Sequence, residues 1–304
     1  MNSRAASLSA EFLDIDLLAR LPSLELQAKF LVTGFLAGLH RSPFHGSSVE
    51  FKEHRDYQPG DELRSVDWKV YARTDRLHIR LRDDETNLTA SLLLDRSASM
   101  DYRSHRALMT KWDYTRSLAA AFLLFLQRQR DATALGFIGA GLEEFMPGSA
   151  RPSHYHRLMA ALHRPAAVAA SAIPEALAVA ADRVRHRSIV LIFSDFYADP
   201  AALAPALKRL RYQDCEVICF HILDPMELDF DFEEPVRLRE QETSALLTLS
   251  PDLIRDEYRR RVTDHRKALE EQIRQLDGDC ILLRTDKPPL SALGAYLARR
   301  NARL

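Results

Sequence analysis

Residues 188–195 read Ser-Ile-Val-Leu-Ile-Phe-Ser-Asp, and residues 91–95 read Ser-Leu-Leu-Leu-Asp. Each is a short apolar run that stops at an aspartate. A continuous apolar run without alternation is the mark of a strand buried on both faces, as in a parallel sheet. Ala132–Ile138, Cys215–His221 and Cys280–Leu283 have the same texture. Helical stretches fall between these runs, at about 106–129, Pro152–Leu162, Pro174–Val184, Pro200–Arg211 and Pro251–Leu276. In the last of them Leu253, Ile254, Tyr258, Val262, His265, Leu269, Ile273 and Leu276 form one apolar stripe on a charged helix. Ser250 before Pro251 supplies its N-cap and first-turn proline. Strands alternating with helices predict a doubly wound α/β fold over residues 89–304, with a mostly parallel sheet covered on both faces.

Residues 1–88 have a different texture. Residues 12–39 read as one or two helices broken near Pro22, and Ser42-Pro43-Phe44-His45-Gly46 is a turn cluster. Leu77, Ile79 and Leu81 alternate with His78, Arg80 and Arg82, the pattern of a half-buried strand. The expectation is a separate, smaller N-terminal region that is partly helical and β-rich. A second interruption is the acidic segment 224–240, where Glu227, Asp229, Asp231, Glu233 and Glu234 surround Phe230 and Phe232. It reads as a solvated loop or edge hairpin, the alternative being a docking surface for a basic partner.

The 304 residues carry 42 Lys+Arg against 43 Asp+Glu, a formal net charge of −1. That balance excludes nucleic-acid binding driven by bulk charge. Three cysteines scattered over the chain make no disulfide framework and point to a reducing cytoplasm. The longest apolar run, Leu118–Leu126, is nine residues, well short of the ~20 needed to span a bilayer. Gly34 and Gly38 form a GxxxG pair, bounded by Lys29 and His40, that suits close packing in a soluble core. A Walker phosphate loop, GxGxxG and GxSxG are all missing.

Chemistry concentrates where the two aspartate-terminated runs end, because ligands of open α/β sheets bind beyond the carboxyl ends of the strands. The first run continues as Asp95-Arg96-Ser97-Ala98-Ser99, a DxSxS pattern. Residues two apart on extended chain project to one side, so a carboxylate and two hydroxyls can converge. These hard oxygen donors suit Mg²⁺ or Mn²⁺ and not zinc. Asp195 brings a second carboxylate, acting through water, and an open coordination position remains for an incoming anion. The alternative is that Ser97 and Ser99 merely cap the following helix. His154, His156 and His163 are a weaker metal candidate, and Cys215 and Cys219 read as core residues.

This constellation resembles the metal-ion-dependent adhesion site of von Willebrand factor type A domains. The resemblance implies a further hydroxyl from a loop just before a helix. Here that loop is Ser171-Ala172-Ile173-Pro174, with Ser171 in place of the family's threonine and without its flanking glycines. The implied ligands of Mg²⁺ or Mn²⁺ are thus Asp95, Ser97, Ser99, Ser171 and Asp195. Upstream stand Glu50-Phe51, Arg55-x-Tyr57-x-x-Gly60-Asp61-x-x-Arg64-x-x-Asp67-Trp68, Ala72-Arg73, Leu77-x-Ile79-Arg80 and Glu85. This block is similar to the bacterial family called domain of unknown function 58, in which it precedes a type A domain. Many of those relatives carry membrane helices, and this chain resembles the short soluble members. Asp61, Arg64, Asp67 and Arg73 alternate in sign and suit an ion network under Trp68, read as glue between the regions or as a partner surface.

The resemblance implies a non-enzymatic, metal-dependent protein-interaction module, with a partner's carboxylate completing the metal shell. It also implies the partner: a MoxR-class AAA+ ATPase, for which the protein acts as a cytoplasmic adaptor in chaperone-like remodelling or maturation of a client protein. Two other readings compete. A Mg-dependent phosphoesterase would use Asp95 as nucleophile, but Ser97 stands where its second aspartate belongs, and no lysine occupies the strand–loop position near Asp195. A structural scaffold with a vacant metal site is the third.

Overall fold

The computed structural model describes residues 15–39, 55–56, 78–79, 88–166, 171–232, 236–239, 246–249 and 251–303. Helices α1 (Ile15–Arg20) and α2 (Leu24–Leu39) come first, followed by the two-residue strands β1 (Arg55–Asp56) and β2 (His78–Ile79). The chain continues through β3 (Thr89–Asp95), α3 (Lys111–Arg128), β4 (Ala132–Ile138), β5 (Leu142–Ser149), α4 (Pro152–Ala161) and α5 (Ile173–Arg183). Next are β6 (Ile189–Ser194), α6 (Pro200–Tyr212), β7 (Glu216–Leu223), α7 (Pro225–Asp229), β8 (Val236–Arg239) and β9 (Leu246–Leu249). Helix α8 (Pro251–Arg274), strand β10 (Asp279–Arg284) and helix α9 (Leu290–Arg303) complete it.

Six strands form one sheet in the order β10-β7-β6-β3-β4-β5. All neighbours are parallel except β4 and β5. This is the doubly wound, mostly parallel α/β fold that the strand rhythm requires. Strand β5 is outside that rhythm because its sequence, Leu-Glu-Glu-Phe-Met-Pro-Gly-Ser, reads as a loop. An antiparallel edge strand tolerates the proline, since one of its sides needs no ladder bonds.

Strand parity sorts the core into two layers. Leu92, Leu94, Leu191 and Phe193 face the layer that contains α2, α3, α4 and α9. Leu93, Val190 and Ile192 face the layer of α5, α6 and α8. Helix α3 is apolar almost all round because it is covered on both sides, by the sheet and by α2. Its Phe122 ring lies 5.6–5.9 Å from those of Phe193, Phe220 and Tyr296. Thr110 caps its first turn by accepting the Asp113 N–H.

The chain divides into two compact units, residues 41–87 and the remainder. The expected boundary lies between 88 and 89, whereas this grouping places residues 1–40 with the α/β unit. Ala28, Leu31, Val32 and Phe35 of α2 are buried in the core of the α/β unit, with Phe35 edge-on to Phe125 at 6.5 Å. The N-terminal helices are therefore a layer of that unit. Helix α2 packs into this core, and no described helix is long and apolar enough to cross a membrane. In the 41–87 unit β1 and β2 pair antiparallel, with Arg55 opposite Ile79. Glu50, Phe51, Tyr57, Asp61, Arg64, Asp67, Trp68, Arg73 and Glu85 lie outside the described residues. The acidic segment begins not as loop but as α7, and β8 and β9 beyond it form an antiparallel pair.

Candidate metal site at the switch point of the sheet

Strand β3 has β4 on one side and β6 on the other, and the helices connected to them lie on opposite faces. The crevice beyond the carboxyl ends of β3 and β6 is therefore the topological switch point, where doubly wound folds bind ligands. Asp95 ends β3 there, fully buried. Its Oδ1 accepts the Ser97 N–H at 2.9 Å. Its Oδ2 accepts two hydroxyls, Ser194 at 2.6 Å and Ser171 at 3.0 Å. The Ser97 and Ser99 hydroxyls are 3.1 Å apart. Asp95, Ser97, Ser99 and Ser171 thus come together, although Ser171 is 76 residues from Asp95 in sequence.

Local structure aims each group. The Arg96 N–H continues the β3–β4 ladder onto Ile138 O at 2.9 Å. The Arg96 side chain reaches outward to Glu143 at 2.6 Å and Pro165 O at 3.0 Å, which pins the DxSxS loop between β5 and the segment that follows α4. Ala172 N–H donates to Gly139 O at 2.8 Å and so brings Ser171 to the crevice. A 3₁₀ turn, Ala98–Asp101, follows Ser97, whose side chain makes no capping hydrogen bond to it. Capping is not what holds this serine. Burial first, and then the charge of Asp195, push the Asp95 carboxyl up to about 6, against the hydrogen bonds from Ser194 and Ser97.

Asp195 sits in other company. Its Oδ2 accepts the Lys111 Nζ at 2.8 Å, and the same ammonium donates to Glu227 Oε1 at 2.7 Å. The Lys111 side chain has no exposed surface. Burial alone would depress its pKa, but the two carboxylates hold it above the ordinary lysine range. Burial raises Glu227, with Lys111 pulling the other way. Glu227 Oε2 in turn accepts the Asp224 N–H at 2.8 Å, closing a capping box on α7. Asp224 is itself fully buried and accepts the Ser104 N–H at 2.9 Å. A lysine does stand beside Asp195, although none occupies the strand–loop position next to it. It comes not from the adjoining loop but from the first turn of α3, 84 residues away.

Sequence reasoning also missed Ser194. The signal was present in the register: Leu94 pairs with Phe193, so the next residues, Asp95 and Ser194, stand opposite one another. His221, paired with Ser194 from β7, is buried and held neutral, pushed down to about 3 chiefly by burial. Helix α8 grips the loops around the site through main-chain carbonyls. Tyr258 donates to Glu227 O at 3.0 Å and a His265 ring nitrogen meets Phe196 O at 2.9 Å, while Arg255 and Arg259 take Phe230, Phe232 and Asp229 oxygens. The other candidates fall away. His154 is buried with its ring nitrogen 2.9 Å from Thr133 O, whereas His156 and His163 are exposed. Cys215 and Cys219 are free thiols in the core.

The donors fit a hard divalent cation. They are all oxygens, one carboxylate and several hydroxyls, gathered on a buried carboxyl whose hydrogen-bond partners are the Ser97 N–H and the Ser194 and Ser171 hydroxyls. Among the described residues no group of three or more His, Cys, Asp or Glu side chains suited to a metal is present. Hydroxyls would thus make up most of the protein's share of the shell.

Residues 53–268 match the family described as "Protein of unknown function DUF58". The chain belongs to this family. Uncharacterised proteins of Mycobacterium tuberculosis and Mycobacterium bovis are 30% identical to this DUF58 chain over 303 residues, covering 95% of it and 92% of each relative. Among solved structures, the conserved hypothetical protein BatB from Bacteroides thetaiotaomicron matches with a TM-score of 0.46 and 12% identity, over 70% of this chain and 98% of that one. The SpRpn10 VWA domain matches with a TM-score of 0.42 and 14% identity, over 68% and 93%.

Proposed function

We propose that this DUF58 protein is a metal-dependent protein-interaction module. The observation that carries the reading is the convergence of Asp95, Ser97, Ser99 and Ser171 at the switch point of the sheet. These four side chains would hold Mg²⁺ or Mn²⁺, with Asp195 contributing through water. One direct carboxylate leaves a divalent cation with net positive charge, so the ligand that completes its shell is an anion. In a protein partner that anion is an aspartate or glutamate carboxylate. The resemblance drawn from residues 40–100 extends the reading to a cytoplasmic adaptor for a MoxR-class AAA+ ATPase, acting in chaperone-like remodelling of a client.

The phosphoesterase reading loses ground on two observations. Ser97 occupies the place of the second aspartate and supplies no general acid. Lys111 is bound to two carboxylates, so it is not free to steady a phosphoryl group.

The test is thermal unfolding of wild type and Asp95→Ala across Mg²⁺ and Mn²⁺ titrations, starting from chelated protein. A ligand at 100 times its dissociation constant adds about 2.7 kcal/mol. The reading expects a saturable rise in wild type that Asp95→Ala abolishes, and co-purification of the cognate ATPase that EDTA disrupts. Indifference of both proteins to both metals would leave only the scaffold reading.

A further inference from the structure

A lysine with no exposed surface is rare unless it is paired, and Lys111 is paired twice. It stands at the start of α3, 2.8 Å from Asp195 Oδ2 and 2.7 Å from Glu227 Oε1, with its ammonium 5.1 Å from the Tyr197 ring centroid. The function proposed above does not use it. Yet it is a cation bound to one of the two carboxylates that a divalent ion at the switch point would draw on. We infer that Lys111 is a built-in rival of the metal for Asp195 and that it sets the affinity of the site low. Glu227 is the second partner that keeps the ammonium satisfied when Asp195 turns to the metal. The inference rests on the Asp95 cluster being a cation site.

The physical argument is competition between two cations in a low-dielectric setting. An ammonium in direct contact with Asp195 neutralises that carboxylate, so an arriving divalent ion gains from it only what Lys111 gives up. Lys111 has no water to retreat to, because its side chain is fully enclosed. A lysine with one carboxylate partner would leave a bare buried ammonium whenever the metal took that partner, a heavy penalty. The second carboxylate removes the penalty. Glu227 is suited to this because it is held independently of Lys111: its Oε2 accepts the Asp224 N–H, and Tyr258 binds its main-chain oxygen. Lysine, aspartate and glutamate together carry a net charge of −1. Replacing Lys111 and Glu227 by neutral residues leaves Asp195 alone, also at −1. The pair substitution therefore changes who owns Asp195 without changing the local charge.

The experiment is Mn²⁺ titration of the full chain at neutral pH, read from the electron paramagnetic resonance signal of free Mn²⁺. Wild type, Lys111→Met/Glu227→Gln, Glu227→Gln and Asp95→Ala are compared, with folding checked by circular dichroism. The double variant is expected to bind Mn²⁺ about tenfold or more tightly than wild type. Glu227→Gln is expected to bind more weakly, because the ammonium then belongs to Asp195 alone. Asp231→Asn removes the same charge from an exposed position and should stay within about twofold of wild type. A folded double variant that binds no more tightly than wild type makes Lys111 purely structural. In that case Mn²⁺ binding lost in Asp95→Ala still supports the metal site. Absence of Mn²⁺ binding from every variant overturns both. Should the double variant fail to fold, unchanged or tighter binding by Glu227→Gln overturns the inference by itself.

Discussion

Two aspartates end two neighbouring strands, and their surroundings differ in kind. Around Asp95 stand hydroxyls and a backbone N–H. Around Asp195 stand an ammonium and, through it, a second carboxylate. Parity supplies the reason. Asp95 follows Leu93 in facing the layer of α5, and the loop before α5 brings Ser171. Asp195 continues the other parity, that of Leu191 and Phe193, toward α3, whose first turn brings Lys111. Like residues at like positions acquire opposite chemistries because a doubly wound sheet has two sides. One carboxyl is left wanting a cation, and the other already has one.

The comparison is open to attack at its strongest point first. Lys111→Met leaves two buried carboxylates facing each other without a counter-charge. A loss of about 3–5 kcal/mol is expected in urea unfolding. A loss below 1 kcal/mol would mean that the triad contributes little and that the two aspartates are more alike than described.

The next effect concerns the other aspartate. Its carboxyl is raised from 3.8 to about 6, so the metal-free fold prefers it protonated. Stability from this group is full below about 3.8 and is lost as pH rises through about 6. Asp95→Asn is therefore expected to stabilise chelated protein at pH 7.5 by a few kcal/mol, with the gain largely gone at pH 4. Metal binding should release a proton below pH 6, which a calorimeter reads from the dependence of the heat on buffer ionisation. An Asp95→Asn gain that ignores pH would sink the claim of a cation-starved carboxyl.

The smallest effect separates the hydroxyls. Ser171→Ala removes one hydrogen bond to Asp95 at the half-exposed mouth of the crevice and should cost about 1 kcal/mol in metal-free protein. Its larger consequence is expected in Mn²⁺ affinity, which would identify this serine as a ligand. Equal affinity in the variant would confine the direct ligands to Asp95, Ser97 and Ser99.

The difference between the two aspartates also marks where sequence reading stops. The five parallel strands were legible because each is an apolar run, and Asp95 and Asp195 were legible because each ends one. The DxSxS spacing showed which hydroxyls can join Asp95 on its own strand. Lys111 was not legible, since a lysine opening a helix ordinarily reads as a solvated charge and its carboxylate partners lie 84 and 116 residues away. Ser194 was hidden in the shadow of its neighbour, because only strand register sets it opposite Asp95. The texture of residues 1–88 grouped α2 with its sequence neighbours, whereas its apolar face belongs over α3, a preference that becomes visible only once α3 has a surface to cover.

The hold of α8 on the loops has a consequence for sequence drift. Tyr258, His265, Arg255 and Arg259 bind carbonyl oxygens of residues 196, 227, 229, 230 and 232, atoms that every amino acid carries. Exposed side chains of the acidic segment such as Asp231 can change while the helix keeps its grip on the backbone beneath them, whereas Glu227 is tied to Lys111. The charge displayed at such exposed positions is in this way uncoupled from the scaffold that supports it, so one can be retuned over generations without renegotiating the other.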